Sequence, residues 1–387
     1  MRYCKKCVMP DTRPYMKFNE EGICYPCRAA EKIKQTDWKK RWEELEELAD
    51  LYRGINGDYY DCIIAASGGK DSYYQTHIIK EKLDMNPLLV SVDNFSWTKT
   101  GRHNWDNLRT EFGVDAHVMS LNPKVCKNLF RKALEKLGSP TWYFDRAIYA
   151  YPLQVAVKLN IPLVIYGEDT NYLYGGPDTE ETPSAMKQIT NDVVKPVEWD
   201  VWLDNEITMK DVNPAIYPTE AEMKKVKLNP TFLSYYMTWS GYKNMEFARS
   251  KGFKTLDDTG EWKREGFLEQ YDQIDTLGYL THTWFKFPKF GHQRVTEVAS
   301  LWIREGRMTR EEAVKKVIEE DWKLDRRMLE DFLEFVEYKE GDFWKIVDKF
   351  ANRDIVEKRD SVWRLKKNVE NALINGEEVK EDSRLVI

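Results

Sequence analysis

The chain has 387 residues, with 59 Lys and Arg against 65 Asp and Glu for a formal net charge of −6, and it is 42% hydrophobic and 13% aromatic. That is material for one large domain or two ordinary ones, too rich in aromatics to be disordered, and its acidic balance argues against a broad nucleic-acid surface, which needs clustered positive charge. The longest apolar runs, such as Ile161 to Tyr166, fall far short of the roughly 20 residues that span a bilayer, and no signal pattern opens the chain, so no membrane span and a cytoplasmic location are expected.

Four of the six cysteines fall in the first 27 residues, as Cys4-x2-Cys7 and Cys24-x2-Cys27 with sixteen residues between the pairs. In a reducing compartment this spacing presents four thiolates to Zn²⁺, and a closed thiolate shell leaves no open position for water, so the ion is expected to be structural. Pro10, Pro14 and Gly22 make the intervening segment too turn-rich for a core, so metal binding would supply its folding energy. Cys62, in an apolar strand pattern, and Cys126 read as buried structural residues.

From Arg28 to Tyr52 an amphipathic helix is expected, with Trp38, Trp42, Leu45 and Leu48 on one face. Strands and helices then alternate: a strand over Cys62 to Ala66, a helix from Ser72 to Leu83, a strand over Leu88 to Val92, a helix from Trp105 to Glu111, a strand over Ala116 to Leu121. Helices near Lys124 to Leu137 and Ala147 to Leu159 and a strand over Leu163 to Tyr166 follow. This alternation predicts an α/β fold with a doubly wound parallel sheet and ligands at the C-terminal ends of its strands. Gly175 to Pro183 reads as a loop able to cover a site there. Beyond Pro214 the composition turns helical. Tyr235, Tyr236, Trp239 and Tyr242 read as core, and Val295 to Asn375 as charged amphipathic helices, with Thr309 capping one and Glu312 completing its capping box.

The stretch Asp61-Cys62-Ile63-Ile64-Ala65-Ala66-Ser67-Gly68-Gly69-Lys70-Asp71-Ser72 carries the chemistry. A buried strand running through two glycines into a helix directs successive backbone N–H groups at one concavity, where a phosphate chain is held. Ser67 and Ser72 add hydroxyls, Lys70 a positive charge and Asp71 a ligand for Mg²⁺. The G-x4-G-K-[ST] spacing of a Walker loop is absent. Asp93 follows the second strand and is placed to contact an adenosine. Gly167-Glu168-Asp169 follows the strand ending at Tyr166 and offers carboxylates for Mg²⁺ or for orienting a nucleophile. Arg146, at an expected helix start, and the run from Lys286 to Arg294, which includes Lys289, offer cations for pyrophosphate or an anionic substrate.

Ser67 to Ser72 resembles the SGGxDS signature of the PP-loop ATP pyrophosphatases, whose adenine nucleotide alpha hydrolase-like fold is implied here. The knot MRYCKKCVMPDTRP…GICYPCR, then ASGGKDSYYQ, IYGEDTNYLYGG and FPKFGHQRVTEVASLWIREGRMTREEA together resemble the N-acetyl sugar amidotransferases of O-antigen and related lipopolysaccharide biosynthesis. That resemblance implies ATP-dependent conversion of an acetamido group on a UDP-linked sugar, a diacetamido uronic acid, into an acetamidino group. It also implies ammonia from a separate glutaminase paired with a cyclase-like subunit; independently, residue 2 is Arg and neither Cys62 nor Cys126 has a histidine nearby in sequence, so the residues offer no convincing glutaminase in the chain itself. The expected division is a zinc knot over 1–35, a connecting helix over 36–54, a PP-loop domain over 55–260 and a helical region over 261–387. Two other readings share the motifs: a tRNA or metabolite thiolase using the same adenylation, and a non-catalytic zinc-ribbon scaffold.

Overall fold

The computed structural model describes residues 1–93, 96–177, 179–190, 198–376 and 378–379. Asp178 of the expected covering loop and residues 380–387 of the expected helical region lie outside the described residues.

The expected helix from Arg28 to Tyr52 is two helices, α1 (Tyr25–Ile33) and α2 (Trp38–Tyr52). The break is local chemistry: the Asp37 carboxylate accepts the Lys40 amide at 3.1 Å and starts α2 as its N-cap. Leu45 and Ala49 of α2 are buried, and Trp42 and Leu48 pack beside them on the expected face.

Strand β1 (Cys62–Ala65) leads into α3 (Lys70–Thr76), after which His77–Lys82 winds as a π-helix, with the Leu83 amide bonded to the Ile78 carbonyl at 3.0 Å. The wider turn lets the adjacent Ile78 and Ile79 both be buried together with Leu83. The chain continues through β2 (Pro87–Asp93), α4 (Lys99–Phe112), β3 (Ala116–Ser120), α5 (Pro123–Leu137), α6 (Trp142–Leu159), β4 (Leu163–Tyr166) and α7 (Thr170–Tyr174). Helix α6 starts earlier than expected because Trp142, Tyr143 and Phe144 are all buried, an unbroken aromatic run without helical period. Arg146 is therefore inside α6, not at its start.

Beyond Pro214 the chain is not wholly helical. After α8 (Glu220–Lys225) comes a fifth strand, β5 (Asn229–Phe232), which pairs in parallel with β4. It lies at the sheet edge, where Pro230 can be accommodated. The sheet order is β3-β2-β1-β4-β5, all parallel, so the expected doubly wound architecture is present. Strands β1 and β4 are central and buried nearly throughout.

Helices α9 (Gly241–Ser250) and α10 (Leu256–Thr259) lead to α11 (Thr281–Phe290), α12 (Arg294–Arg304), α13 (Arg310–Glu320), α14 (Arg326–Val336) and α15 (Glu340–Phe350). Thr309 and Glu312 form the expected capping box on α13. A hairpin, β6 (Val356–Arg359) and β7 (Val362–Leu365), interrupts the expected helical tail before α16 (Lys367–Asn375). Asp360 and Ser361 turn it with φ of 50° and 64°, the left-handed pair that a two-residue hairpin requires. Among the described residues no helix is long and apolar enough to cross a membrane.

Candidate active site

At the C-terminal end of β1 the chain turns through Ser67, Gly68 and Gly69 into α3. Gly68 has φ +83°, and a Cβ there would stand 3.0 Å from the Trp105 Cα, so glycine is required on both counts. The Ser67 amide donates to the Ser72 hydroxyl at 3.0 Å and the Gly69 amide to the Ser67 hydroxyl at 3.3 Å, which closes the loop on itself.

Behind the loop runs a wall of paired charges. The Lys70 ammonium is buried and donates to Asp71 at 2.6 Å and to Asp272 at 2.8 Å. Burial disfavours its charge, but Asp272 and Asp71 outweigh that and hold Lys70 well above the usual lysine range. Asp272 also pairs with Arg294, whose Nε lies 3.5 Å from Glu269, and Glu269 pairs with Arg264 at 2.8 Å. Asn244 donates to the other oxygen of Asp71 at 2.8 Å. Glu168 faces this wall half-buried, and burial, reinforced by the Asp71 charge, pushes its carboxyl up to about 7.

The loop opens on a cavity of about 1120 Å³ at the C-terminal ends of the strands. Of the residues expected from sequence, Ser67, Gly69, Asp71, Ser72, Gly167, Glu168, Lys289 and Arg294 line it. Lys70 does not: its side chain lines a smaller chamber on the far side of the wall.

Besides Lys70, the expected residues Gly68, Asp93, Asp169 and Arg146 stand outside the cavity lining, Gly68 because it faces Trp105. Asp93 accepts the Trp97 indole N–H at 2.5 Å and the Ser120 hydroxyl at 3.0 Å, and so fastens the segment after β2. Asp169 caps α7, accepting the Asn171 amide at 3.0 Å, and pairs with Lys187. Arg146 donates to the Ala215 carbonyl at 2.9 Å and lies over the Tyr217 ring at 4.7 Å.

Other lining residues carried no motif signal. Arg13 and Tyr15, from between the cysteine pairs, reach the cavity, and Arg13 donates to the Tyr174 and Gly175 carbonyls at 2.8 and 2.9 Å. Lys286 pairs with buried Glu297 at 2.7 Å in the same wall. Asp272 lies in an irregular segment. Its position 202 residues from Lys70 leaves no local pattern that could have singled it out.

Cys4, Cys7, Cys24 and Cys27 are buried and unoxidised, with ligand atoms all within 4.8 Å of one another. Cys4 and Cys27 have sulfurs 3.9 Å apart and Cys7 and Cys24 have theirs 3.6 Å apart, near the roughly 3.8 Å that tetrahedral coordination with 2.3 Å metal–sulfur bonds gives. Backbone amides of Lys6 and Cys24 donate to the Cys4 sulfur at 3.4 and 3.3 Å. The cluster can hold a metal ion, and its donor set fits zinc.

Residues 265–370 match the family model described as LPS biosynthesis protein WbpG-like, C-terminal domain. The block from Phe287 to Ala313, one of those that carried the sequence resemblance, lies inside that match and supports the resemblance. The chain is similar to an uncharacterized protein of Methanocaldococcus jannaschii, MJ1599, with 29% identity over 187 residues, which cover 48% of this chain and 65% of that protein. It thus spans under two thirds of that relative's length. Among solved structures it is similar to the NH3-dependent NAD synthetase of Campylobacter jejuni in complex with the nitrate ion, at TM-score 0.30 and 13% identity, over 58% of this chain and 88% of that one.

Proposed function

We propose that this protein is an ATP-dependent, AMP-forming amidotransferase that converts the acetamido group of a UDP-linked N-acetyl sugar into an acetamidino group in O-antigen and lipopolysaccharide biosynthesis. One observation carries the reading: the Ser67–Ser72 loop opens on a cavity of about 1120 Å³ that is also lined by Lys286, Lys289, Arg294 and Glu297, all within the WbpG-like segment. That volume suits a nucleotide beside a second large substrate.

An amide carbonyl carbon is a poor electrophile. Its oxygen attacks the α-phosphorus of ATP, the bond to the β-phosphate breaks, and pyrophosphate leaves toward the amides of Gly68 and Gly69 and the hydroxyls of Ser67 and Ser72. The amide N–H proton passes to solvent water, which leaves a neutral O-adenylyl imidate. The ammonia lone pair forms the C–N bond, a proton shifts from that nitrogen to the sugar nitrogen, and the C–O bond breaks with its electrons leaving on AMP. The product is the protonated amidine, and no covalent enzyme intermediate is required.

Asp71 and Glu168, two carboxylates on the same cavity, are the donor type for Mg²⁺, which when bound neutralises phosphate charge. Lys70 acts through Asp71, which it orients. Lys289 and Arg294 supply cationic charge toward the anionic substrates, while Asp93, Gly167, Asp169 and Arg146 shape the walls around them. Zinc in the four-cysteine knot is structural.

Cys62 and Cys126 are fully buried and line neither the cavity nor the chamber, and burial pushes the Cys126 thiol up to about 12. This speaks against a thiolase that uses either one, and against a glutaminase of the chain's own. Ammonia then comes from a separate glutaminase with a cyclase-like subunit. We assign residues 1–35 to the knot, 36–54 to the connection, 55–260 to adenylation and 261–387 to acceptor binding, in a cytoplasmic enzyme.

Mass spectrometry of a reaction with ATP, Mg²⁺, ammonium and UDP-diacetamido-mannuronic acid tests the reading. AMP together with a sugar in which one oxygen has become an imino group is expected. A series of UDP-linked acetamido sugars that yields neither overturns it.

A further inference from the structure

One group of titratable side chains faces the large cavity apart from the loop and its charged wall. Asp145 of α6 and Tyr279, His282 and Lys286, from just before and within α11, line it together. Asp145 is buried, and its two oxygens accept the Tyr279 hydroxyl at 2.6 Å and the Thr141 hydroxyl at 2.7 Å. Burial raises its carboxyl, and His282 with the two hydroxyls works against that. Tyr279 also holds His282: its backbone carbonyl lies 2.7 Å from the ring Nδ1, and the two rings are 4.5 Å apart.

A carbonyl oxygen only accepts, so Nδ1 carries the ring proton and Nε2 keeps its lone pair. Among the described residues no hydrogen-bond partner meets Nε2, and that nitrogen is not sealed from solvent. The charged groups that act on the ring are Asp145 of α6, Lys286 one turn further along α11, and Glu297 of α12. Burial, joined by Lys286, holds the ring below the usual histidine range, and its place in the first turn of α11 works in the same direction. The ring is therefore neutral and able to accept a proton. Asp145 acts the other way and favours the imidazolium once a proton has arrived.

Adenylation of an acetamido group needs such an acceptor. As the oxygen bonds to phosphorus the nitrogen becomes acidic, and its N–H electrons form the C=N bond of the imidate while the proton leaves. Water is a weak base, whereas a neutral imidazole takes up protons near working pH, where general-base catalysis is most efficient. Tyr279, His282 and Lys286 lie within the WbpG-like segment, in the region assigned to the acceptor, and the acceptor is the substrate that gives up this proton. Of the carboxylates on the cavity, Asp71 and Asp272 are paired with Lys70. Asp275, which burial pushes up to about 6, is the rival base.

We infer that His282 is the general base of the adenylation step: Nε2 takes the acetamido N–H proton while the N–H electrons form the C=N bond, and the imidazolium, stabilised by the Asp145 charge, passes the proton on to cavity water. The inference rests on the amidotransferase reading and adds the group through which its proton reaches solvent. Tyr279 is the positioning residue of the pair, with its carbonyl fixing the tautomer of His282 and its hydroxyl holding Asp145.

Two measurements on the full-length chain test it. In nitrogen-15 NMR with labelled histidine, the signal that His282→Gln removes should report a ring protonated at Nδ1 alone at neutral pH. At saturating ammonium, His282→Gln should lower the rate of AMP formation by about 10²–10⁴-fold, the usual contribution of a general base. It should leave the ATP KM unchanged and abolish the fall in rate that wild type shows on acidification, and added imidazole should restore part of the rate to His282→Ala. A ring protonated at Nε2, an unchanged rate, or an acidic limb that persists in His282→Gln and is lost in Asp275→Asn would overturn the inference. Wild-type protein that forms no AMP with any acetamido sugar would instead sink the amidotransferase reading, and the NMR signal would still decide whether Nε2 can accept a proton.

Discussion

The cysteine knot and the glycine loop are both short motifs, yet they are held in opposite ways. In the knot, Cys4 and Cys27 lie 23 residues apart and Cys7 and Cys24 lie 17 apart, so the whole cluster closes within one local segment. In the loop, Lys70 finds Asp272 across 202 residues and Asp71 finds Asn244 across 173. Metal–thiolate bonds are strong enough to order a coreless segment on their own. Paired charges are not, because desolvation consumes most of their attraction, so the loop's charges are set only once distant segments have packed. The knot is local in its formation but not in its use, since its Arg13 and Tyr15 finish the wall of the large cavity.

The largest effect should come from the knot itself. Chelation, or Cys24→Ser, removes metal binding that contributes on the order of 10 kcal/mol in comparable knots. Hydrogen exchange should then rise over residues 3–27 while the sheet stays protected and ATP still binds. Persistent protection of 3–27 would break the contrast.

On the loop side, Asp71→Ala should lower pyrophosphate release by about 10²–10³-fold or more, the scale for removing one transition-state electrostatic group. Retained turnover would refute its metal role. Asp272→Ala leaves Lys70 and Arg294 short of a partner in a buried wall and should cost about 3–5 kcal/mol in denaturant unfolding. A cost near zero would mean that the wall is not held from a distance.

The smallest effect concerns pH. The Glu168 carboxyl is raised on folding from the usual 4.5 to about 7, so the folded state binds its proton more tightly. The stability that this protonation contributes is complete below 4.5 and is lost as pH rises through about 7. Without nucleotide or Mg²⁺, Glu168→Gln should therefore raise stability at pH 8 relative to pH 5, by about 1–2 kcal/mol for a half-buried group. A variant whose melting temperature tracks wild type at both pH values would show that Glu168 carries no such strain.

Much of the architecture was legible in the residues. Apolar runs marked β1, β2 and β4, because buried parallel strands need continuous hydrophobic side chains, and the alternation with helices marked the parallel sheet and its half-exposed edge strand β3. Strand β5 was missed because Asn229-Pro230 reads as a turn and leaves only Thr231 and Phe232 as β-formers, too short a run to mark a strand, and it is recruited by the free edge of β4. The β6–β7 hairpin was hidden for a similar reason: Asp360-Ser361 is a weak turn signal, and Arg359 and Arg364 mask the strands in a charged tail.

For the site, the sequence determined the metal-binding spacing of the four cysteines and the backbone path of Ser67 to Ser72, since both depend on neighbours within a few residues. Only the tertiary structure decided where Lys70 points, that Asp93, Asp169 and Arg146 are held by partners outside the cavity lining, and that Arg13, Asp272 and Glu297 line the cavity. The partners of Arg13, Lys70 and Arg146 come from distant segments, 202 residues away for Lys70 and Asp272, whereas Asp93 and Asp169 are held by nearer neighbours that only the folded loops bring to them. An ionised side chain has no preferred direction until its counter-charges are in place, and those counter-charges arrive only with the fold.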